Sequence, residues 1–294
     1  MLAQQIVNAI SLGGVYALFA LGFTLIFGVL NVVNLAHGAV FMIGAYAALK
    51  AVVVLQLPLP VAILVAMLVT GAVGWLLEKF IFAPLRARQA PHLAPMIATI
   101  GVAITVTSLI EGTFGSENLR FPAEVLPAEI LSMGGGAQIT WLELEIIVLA
   151  FALMAILLWG LRKTGAGRAL RGLAESPKAA ALMGVNVEAF FRVTSILAAL
   201  LGGAAGVLIA LYANAVFPHM GQPMLHKGIA VVILGGMGDI RGALLGGFFL
   251  GFAEVLSVAY IGSNMRDAIA FGLLFIVLLL RPQGLFGHVA QRRA

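Results

Sequence analysis

The sequence contains no cysteine and very little charge. None of its 294 residues is a cysteine, and only 10% are Asp, Glu, Lys or Arg. Without cysteine the chain forms no disulfide, holds no thiolate-bound metal and has no cysteine nucleophile. Because a soluble domain carries about 25% charged residues, the scarcity of charge excludes an ordinary soluble globular protein.

The motifs of ATP-hydrolysing and other hydrolytic enzymes are also missing. The phosphate-binding loop G-x-x-x-x-G-K-[ST] is absent, and the single Lys-Thr pair, Lys163-Thr164, follows Arg162 rather than a glycine. Neither H-E-x-x-H nor G-x-S-x-G occurs. The histidines are scattered along the chain: His37, His92, His219, His226 and His288. We therefore expect no catalytic residues, no metal site and no enzymatic activity in this chain.

Apolar residues, in contrast, make up 62% of the chain, and the mean hydropathy is +1.10. Because each helical crossing needs about 20 mostly apolar residues, the sequence predicts about 8–10 transmembrane helices, some of them broken or short. The fold class is therefore an all-α polytopic membrane protein, with one transmembrane domain over residues 1–294. The net charge of +5 falls in loops beside predicted spans, so it indicates orientation and a lipid environment rather than nucleic-acid binding.

Polar residues interrupt the apolar sequence just after the first predicted span. Gly13–Leu30 is apolar, whereas Asn31, Asn34, His37 and Gly38 break the stretch that follows. Irregular backbone at membrane depth must face protein or water, so these four residues are candidates for a translocation pathway. His37 is also a candidate for a proton path, because imidazole titrates near neutral pH. The alternative is that the polar side chains only hydrogen-bond neighbouring helices.

One carboxylate, Glu254, falls inside a predicted span. A charge in hydrocarbon is costly unless it is neutralised, paired or hydrated, which makes Glu254 a second pathway candidate. The alternative is a structural partner near the external end of the span. No row of charged residues crosses the membrane with it, so ion-coupled transport has little support.

Two stretches in opposite halves of the chain resemble each other weakly. Asn34–Tyr46 and Asp239–Phe252 each place a polar triplet before Gly-Ala and continue into an apolar, glycine-spaced run. Paired interrupted segments are typical of transporters built from two related halves. Chance similarity among glycine-rich helices explains the match equally well.

The distribution of Lys and Arg predicts the orientation. Residues 161–192 form a long basic loop, and the carboxyl-terminal tail carries Arg292 and Arg293, so both are predicted to be cytoplasmic. The segment over about 111–143 is acidic, with Arg120 as its one arginine, and is predicted to be an external loop. The amino end is then outside.

The basic segment, residues 161–192, has two interpretations. It is either a connector that follows the positive-inside tendency or a docking surface for a soluble partner. Ser176 followed by Pro177 predicts the start of a helix, with Ser176 as N-cap, Pro177 at the first helical position and a short helix over Lys178–Met183.

Four stretches together resemble a known family. They are GGVYALFALGFTLIFGVLNVVNLAHGAVFMIGAYAA (13–48), GRALRGLAESPKAAALMGVNVEAFF (167–191), VVILGGMGDIRGALLGG (231–247) and RPQGLFG (281–287). They resemble the LivH-type permease of branched-chain amino-acid ABC importers. The likeness spans nearly the whole chain in the family's order and is weakest over Glu111–Trp141.

The resemblance implies a permease subunit in a bacterial inner membrane. Its partners would be a second, LivM-like permease, two cytoplasmic ATPase subunits and a periplasmic substrate-binding protein. The chain itself would bind no cofactor, with ATP and Mg²⁺ on the ATPase subunits. In that family the loop matching Gly167–Asn186 is thought to engage an ATPase. The implied docking residues are Arg168, Arg171, Glu175, Ser176, Pro177, Lys178, Gly184 and Asn186.

Two functions remain open from the sequence. The first is an ABC-importer permease for branched-chain or related amino acids, which fits a transporter without an ATPase motif. The second is a stand-alone secondary carrier or channel for a small polar solute such as urea or an amide.

Overall fold

A computed structural model describes residues 2–91, 93–126, 129–133, 137–281 and 283–286, and these are predominantly helical. The α-helices are, in chain order, α1 (Leu2–Leu30), α2 (His37–Val53), α3 (Leu59–Leu77), α4 (Ala83–Ala87), α5 (Leu93–Phe114), α6 (Trp141–Lys163), α7 (Gly165–Glu175), α8 (Pro177–Leu182), α9 (Val187–Ala213), α10 (Gly221–Gly235), α11 (Ile240–Tyr260) and α12 (Arg266–Leu280). A π-helical turn over Glu78–Phe82 joins α3 to α4 without a break. Strands β1 (Ile130–Met133) and β2 (Ala137–Thr140) pair antiparallel.

Seven helical segments in the described residues are long and apolar enough to cross a membrane. They are Leu2–Leu30, Leu59–Ala87, Leu93–Phe114, Trp141–Lys163, Val187–Ala213, Ile240–Tyr260 and Ser263–Leu280. The helices α2 and α10 are shorter, with 17 and 15 residues. The prediction of an all-α polytopic membrane protein with some short helices is confirmed.

Helix α1 lies at the centre of the bundle. It is apolar on every side and packs against α6, α9, α10 and α11, so nearly all of its side chains between Ser11 and Ile26 are buried. A helix that is apolar all round has no side suited to water, which favours such a central position. Helix α5, by contrast, buries only Pro95 and Thr99 and lies at the periphery.

Helices α1 and α9 run in opposite directions through the bundle. The end of α1 and the start of α9 line one cavity together with the basic segment. At the other end, Gln138 N donates to Gln4 Oε1 (2.8 Å) and Phe121 N donates to Asn214 Oδ1 (3.0 Å). The bundle therefore has a basic face, with residues 164–186, and an acidic face, with residues 115–140.

The packing reveals two related triplets of helices, α1–α3 and α9–α11. Helix α3 packs along α9, and α11 packs along α1. The first helix of each triplet ends in an asparagine with left-handed backbone, Asn31 (φ 54°) and Asn214 (φ 44°). The short helices α2 and α10 meet where they begin, because a Cβ on Gly38 or on Gly221 would overlap the backbone of the other. With α1 and α9 antiparallel, this is an inverted repeat.

This repeat differs from the one that the sequence indicated. The match between Asn34–Tyr46 and Asp239–Phe252 aligns the start of α2 with the start of α11, whereas the packing pairs α2 with α10. The shared residue pattern reflects close packing instead. Gly247 lies against the backbone of Ala17, and Gly44 lies against that of Gly203, so both stretches need small residues for helix approach.

The acidic segment is shorter and more structured than predicted. Helix α5 continues to Phe114, and α6 begins at Trp141, so the loop of 111–143 contracts to 115–140. A capping box sets the later boundary: Thr140 Oγ1 accepts from Glu143 N, and Glu143 Oε2 accepts from Thr140 N. The predicted tail residues Arg292 and Arg293 lie outside the described residues.

Candidate docking and translocation sites

The basic segment is largely helical. Helix α6 extends to Lys163, and Thr164 Oγ1 caps α7 by accepting from Gly167 N at 3.0 Å. Ser176 Oγ caps α8 by accepting from Ala179 N at 3.2 Å, and Pro177 occupies the first turn. The predicted cap is confirmed, and the predicted helix over Lys178–Met183 begins and ends one residue earlier.

Helix α7 is amphipathic and fixes the segment to the bundle. Gly167, Leu170 and Leu173 are buried, and Leu170 lies beside the end of α1. Arg171 Nη1 donates to the carbonyl oxygen of Leu161, so this predicted docking residue partly serves to close the turn from α6 to α7. The remaining basic side chains of the segment are exposed: Arg162, Lys163, Arg168, Lys178 and Arg192.

Helix α8 presents an apolar tip that the sequence did not single out. Only Ala180 of α8 is buried, whereas Leu182 and the following Met183 are 89% and 85% exposed. Gly184, with φ 84°, then reverses the chain, and Asn186 caps α9 by accepting from Ala189 N. In the sequence Leu182 and Met183 merge with an alanine run, so only the orientation of α8 reveals them.

The structure separates the four polar candidates that follow α1. Asn31 lines a cavity of about 870 Å³ on the basic face, beside Glu175 and Pro177. Asn34 is buried, and its Oδ1 accepts from Ala36 N at 3.1 Å, which closes the turn into α2.

His37 is fully buried at the first position of α2. Its ring lies 4.6 Å from that of Phe19 and fits beside two glycines: a Cβ on Gly22 would lie 3.1 Å from the imidazole, and one on Gly202 would lie 2.8 Å from it. Neither ring nitrogen has a side-chain hydrogen-bond partner among the described residues. The backbone of Phe19 in α1 is within reach of the ring, so the alternative of a hydrogen bond to a neighbouring helix stays a prediction for His37.

Gly38 lines a second cavity, of about 640 Å³, at the meeting point of α2 and α10. We call this the transmembrane cavity. Its lining residues come mainly from α2, α5 and α10: Leu35, Gly38, Ala39, Met42, Ile100, Ala103, Ile104, Thr107, Ser108, Pro218, His219, Gly221, Gln222, Leu225, His226 and Ile229. Apolar side chains with a few polar groups are typical of sites for small molecules. Ile104, Gln222 and His226 are exposed, so the cavity opens to the surface of the chain.

Glu254 lines neither of these cavities. Its buried carboxylate accepts from Lys227 Nζ at 2.5 Å and from Arg266, and both cations also contact Tyr16 Oη at 3.2 Å. Arg266 begins α12 near the acidic face. The alternative of a structural partner near that end of the span therefore accounts for Glu254.

Comparison with known proteins identifies the family of the chain. Residues 5–278 match the family described as "Branched-chain amino acid transport system / permease component". The chain belongs to this family. The permease is thus a multi-pass membrane protein and a transport component, in agreement with the resemblance that its sequence motifs indicated. No solved structure matches the chain.

Individual relatives match nearly the full length of the permease. The LivH permease protein of the high-affinity branched-chain amino acid transport system of Salmonella typhimurium is 33% identical over 97% of this chain and 95% of its own. The BraD permease protein of Pseudomonas aeruginosa is 34% identical over the same shares. A probable LivH of Methanocaldococcus jannaschii is 30% identical over 95% of this chain and 91% of its own.

Proposed function

We propose that the permease is the membrane subunit of an ABC importer for branched-chain or related amino acids, and that it provides half of the translocation pathway and docks a separate ATPase subunit. The apolar tip of α8 carries this proposal. Leu182 and Met183 are exposed at 89% and 85% on the face that also holds the exposed basic side chains. Exposed apolar groups ringed by charge mark a protein interaction site.

The occupant of this surface is a soluble ATPase. The permease has no phosphate-binding loop of its own, so ATP-driven transport requires a partner that carries ATP and Mg²⁺. Lys178 stands on α8 beside the apolar tip, and Arg168 stands on α7, which favours an acidic rim on the partner. The basic face is then cytoplasmic, and the carboxyl end with it.

The transmembrane cavity is one side of the pathway. Its wall comes mainly from the peripheral helix α5 and from the starts of α2 and α10, and its open side is exposed on the single chain. A second, LivM-like permease completes the wall, and a periplasmic binding protein delivers the substrate at the acidic face. Bilayer lipid covers the remaining apolar surface of the chain in the bacterial inner membrane.

Co-expression with two ATPase subunits, a LivM-like permease and a substrate-binding protein from the same organism tests this function. The wild-type complex should retain the ATPases on purification and take up leucine, isoleucine or valine only with ATP. The double variant Leu182→Ser/Met183→Ser should lose at least 80% of the co-purified ATPase. The charge reversal Lys178→Glu should lose less, because the cation contributes only to the rim.

The matched control is Arg120→Glu, a reversal of an exposed cation on the acidic face. It should leave ATPase retention unchanged. Solute flux through the permease alone, in vesicles without ATP, would identify a carrier or channel and overturn the proposal.

A further inference from the structure

A buried ion pair ties the third helix to the basic face. Glu78, the first residue of the π-helical turn, is fully buried, and its Oε1 accepts from Arg86 Nη2 at 2.7 Å. Its Oε2 accepts from Ser195 Oγ at 3.2 Å. Among the described residues, Arg86 is the cation paired with this carboxylate, so the arginine has a fixed position.

The same guanidinium reaches the start of α9. Arg86 donates to both carboxylate oxygens of Glu188, from Nη2 at 2.6 Å and from Nε at 3.3 Å, and its Cζ lies 4.3 Å from the ring centroid of Phe191. Glu188, Phe191 and Ser195 lie on one side of α9, at i, i+3 and i+7. The first turns of α9 therefore hold the Glu78–Arg86 pair along one continuous stripe.

The π-helical turn is what directs Arg86 towards Glu78. In a regular α-helix, residues eight apart are rotated by about 80° from each other. One extra residue in the turn reduces this angle to about 20°, which brings both side chains to the α9 side. Such π-turns occur frequently at functional sites.

Residues 183–186 alone separate α8 from α9, and Val185 N donates back to Ala180 O at 3.0 Å. A displacement of α8 would therefore move the first turn of α9 with it. The helix α5 follows α4 in the chain and lines the transmembrane cavity. Arg86 thus stands between the segment that the ATPase would contact and the helix that would line the pathway.

We propose that Arg86 is a positioning residue for transport, which transmits movement of α8 through Glu188 to Glu78 and so to α5. The inference rests on the proposed function. It assigns to Arg86 neither contact with substrate nor contact with the ATPase.

The test uses the whole complex in proteoliposomes, with ATP hydrolysis and substrate uptake measured in the same vesicles. Glu188→Ala removes the hydrogen bonds between Arg86 and α9 while leaving the buried Glu78–Arg86 pair intact. The chain should therefore still fold and retain its ATPases. ATP hydrolysis should stay within twofold of wild type, whereas uptake per ATP hydrolysed should fall at least fivefold. Glu188→Asp, which keeps the charge, should restore at least half of that ratio.

Arg86→Lys provides a second variant, because lysine keeps the charge beside Glu78 but cannot make the bidentate contact of the guanidinium with Glu188. It should lower uptake per ATP as Glu188→Ala does. The control is Glu145→Ala, an exposed glutamate of α6 outside both the acidic and the basic face, which should leave the ratio unchanged.

Two results would overturn the inference. One is a wild-type ratio of uptake to ATP hydrolysis in Glu188→Ala. The other is loss of the ATPases from that variant on purification, which would make Glu188 a docking residue. A wild-type complex without ATP-dependent uptake would instead reject the proposed function, and the inference with it.

Discussion

Lys227 Nζ lies 2.5 Å from Glu254 Oε1, with the lysine side chain 11% exposed and the carboxylate fully buried. Arg266 and Tyr16 complete this cluster. It is the counterpart, in the second helix triplet, of the Glu78–Arg86 pair in the first. In both, a buried glutamate in or directly after the triplet's third helix pairs with a cation, and a hydroxyl from the first helix of the other triplet joins the cluster. Ser195 donates to Glu78, and Tyr16 contacts both cations of Glu254. The inverted repeat therefore places one buried ionic cluster towards each face.

Removing one partner of the Lys227–Glu254 pair should destabilise the permease. Glu254→Ala leaves the buried Lys227 without its closest carboxylate, which costs about 3–5 kcal/mol. Lys227→Met should cost less, because Arg266 still pairs with Glu254. The double variant Lys227→Met/Glu254→Leu should recover most of this loss, because the 40%-exposed Arg266 can turn to water. Thermal unfolding of the purified complex measures all three. Additive losses in the double variant would contradict this account.

Gly206→Ala should loosen the contact between α2 and α9. A Cβ at Gly206 would overlap the carbonyl oxygen of Phe41, so the helices must separate. Overpacking of this kind costs about 1–3 kcal/mol, which a lower unfolding temperature would record. The control is Gly101→Ala in α5, where no atom lies within 4 Å of the new Cβ. It should be neutral or slightly stabilising, and equal effects of the two substitutions would refute the packing argument.

Local features of the fold could be predicted from the sequence. Ser176 and Pro177 start α8 as expected, because a cap and a first-turn proline depend only on neighbouring residues. The break after Leu30 was predicted for the same reason, since polar residues interrupt an apolar run there. The capping box of Thr140 and Glu143 is equally local and could have located the start of α6.

The remaining features depend on distant parts of the chain. Arg86 meets Glu188 across 102 residues, and nothing in either local sequence specifies the partner. The π-helical turn that aligns Arg86 with Glu78 contains no glycine, proline or other turn-forming residue, so the sequence does not indicate it. For Glu254 the sequence offered a structural partner as one alternative, and the structure contains such partners. Their identity, Lys227 and Arg266, follows only from the packing of the helices.

His37→Leu should preserve uptake across pH. The imidazole is fully buried and has no side-chain hydrogen-bond partner among the described residues, so an apolar side chain of similar size loses at most a bond to the Phe19 backbone. We expect at least half of wild-type ATP-dependent uptake, with the same pH profile. Loss of uptake in a stably folded His37→Leu protein would support the proton path for which His37 is a candidate. Gly202→Ala is the contrasting variant, because its Cβ would lie 2.8 Å from the His37 ring and should destabilise the bundle.

The absence of cysteine makes the proposed orientation directly testable. Single-cysteine variants have no background thiol, so a membrane-impermeant maleimide reports only the introduced site. Glu124→Cys, on the acidic face, should react in intact cells, whereas Lys178→Cys, on α8, should react only after permeabilisation. Both side chains are exposed, so accessibility within the protein does not distinguish them. Ala66→Cys, buried in α3, should react in neither condition. The reverse pattern would place the acidic face in the cytoplasm and remove α8 from the reach of any cytoplasmic ATPase.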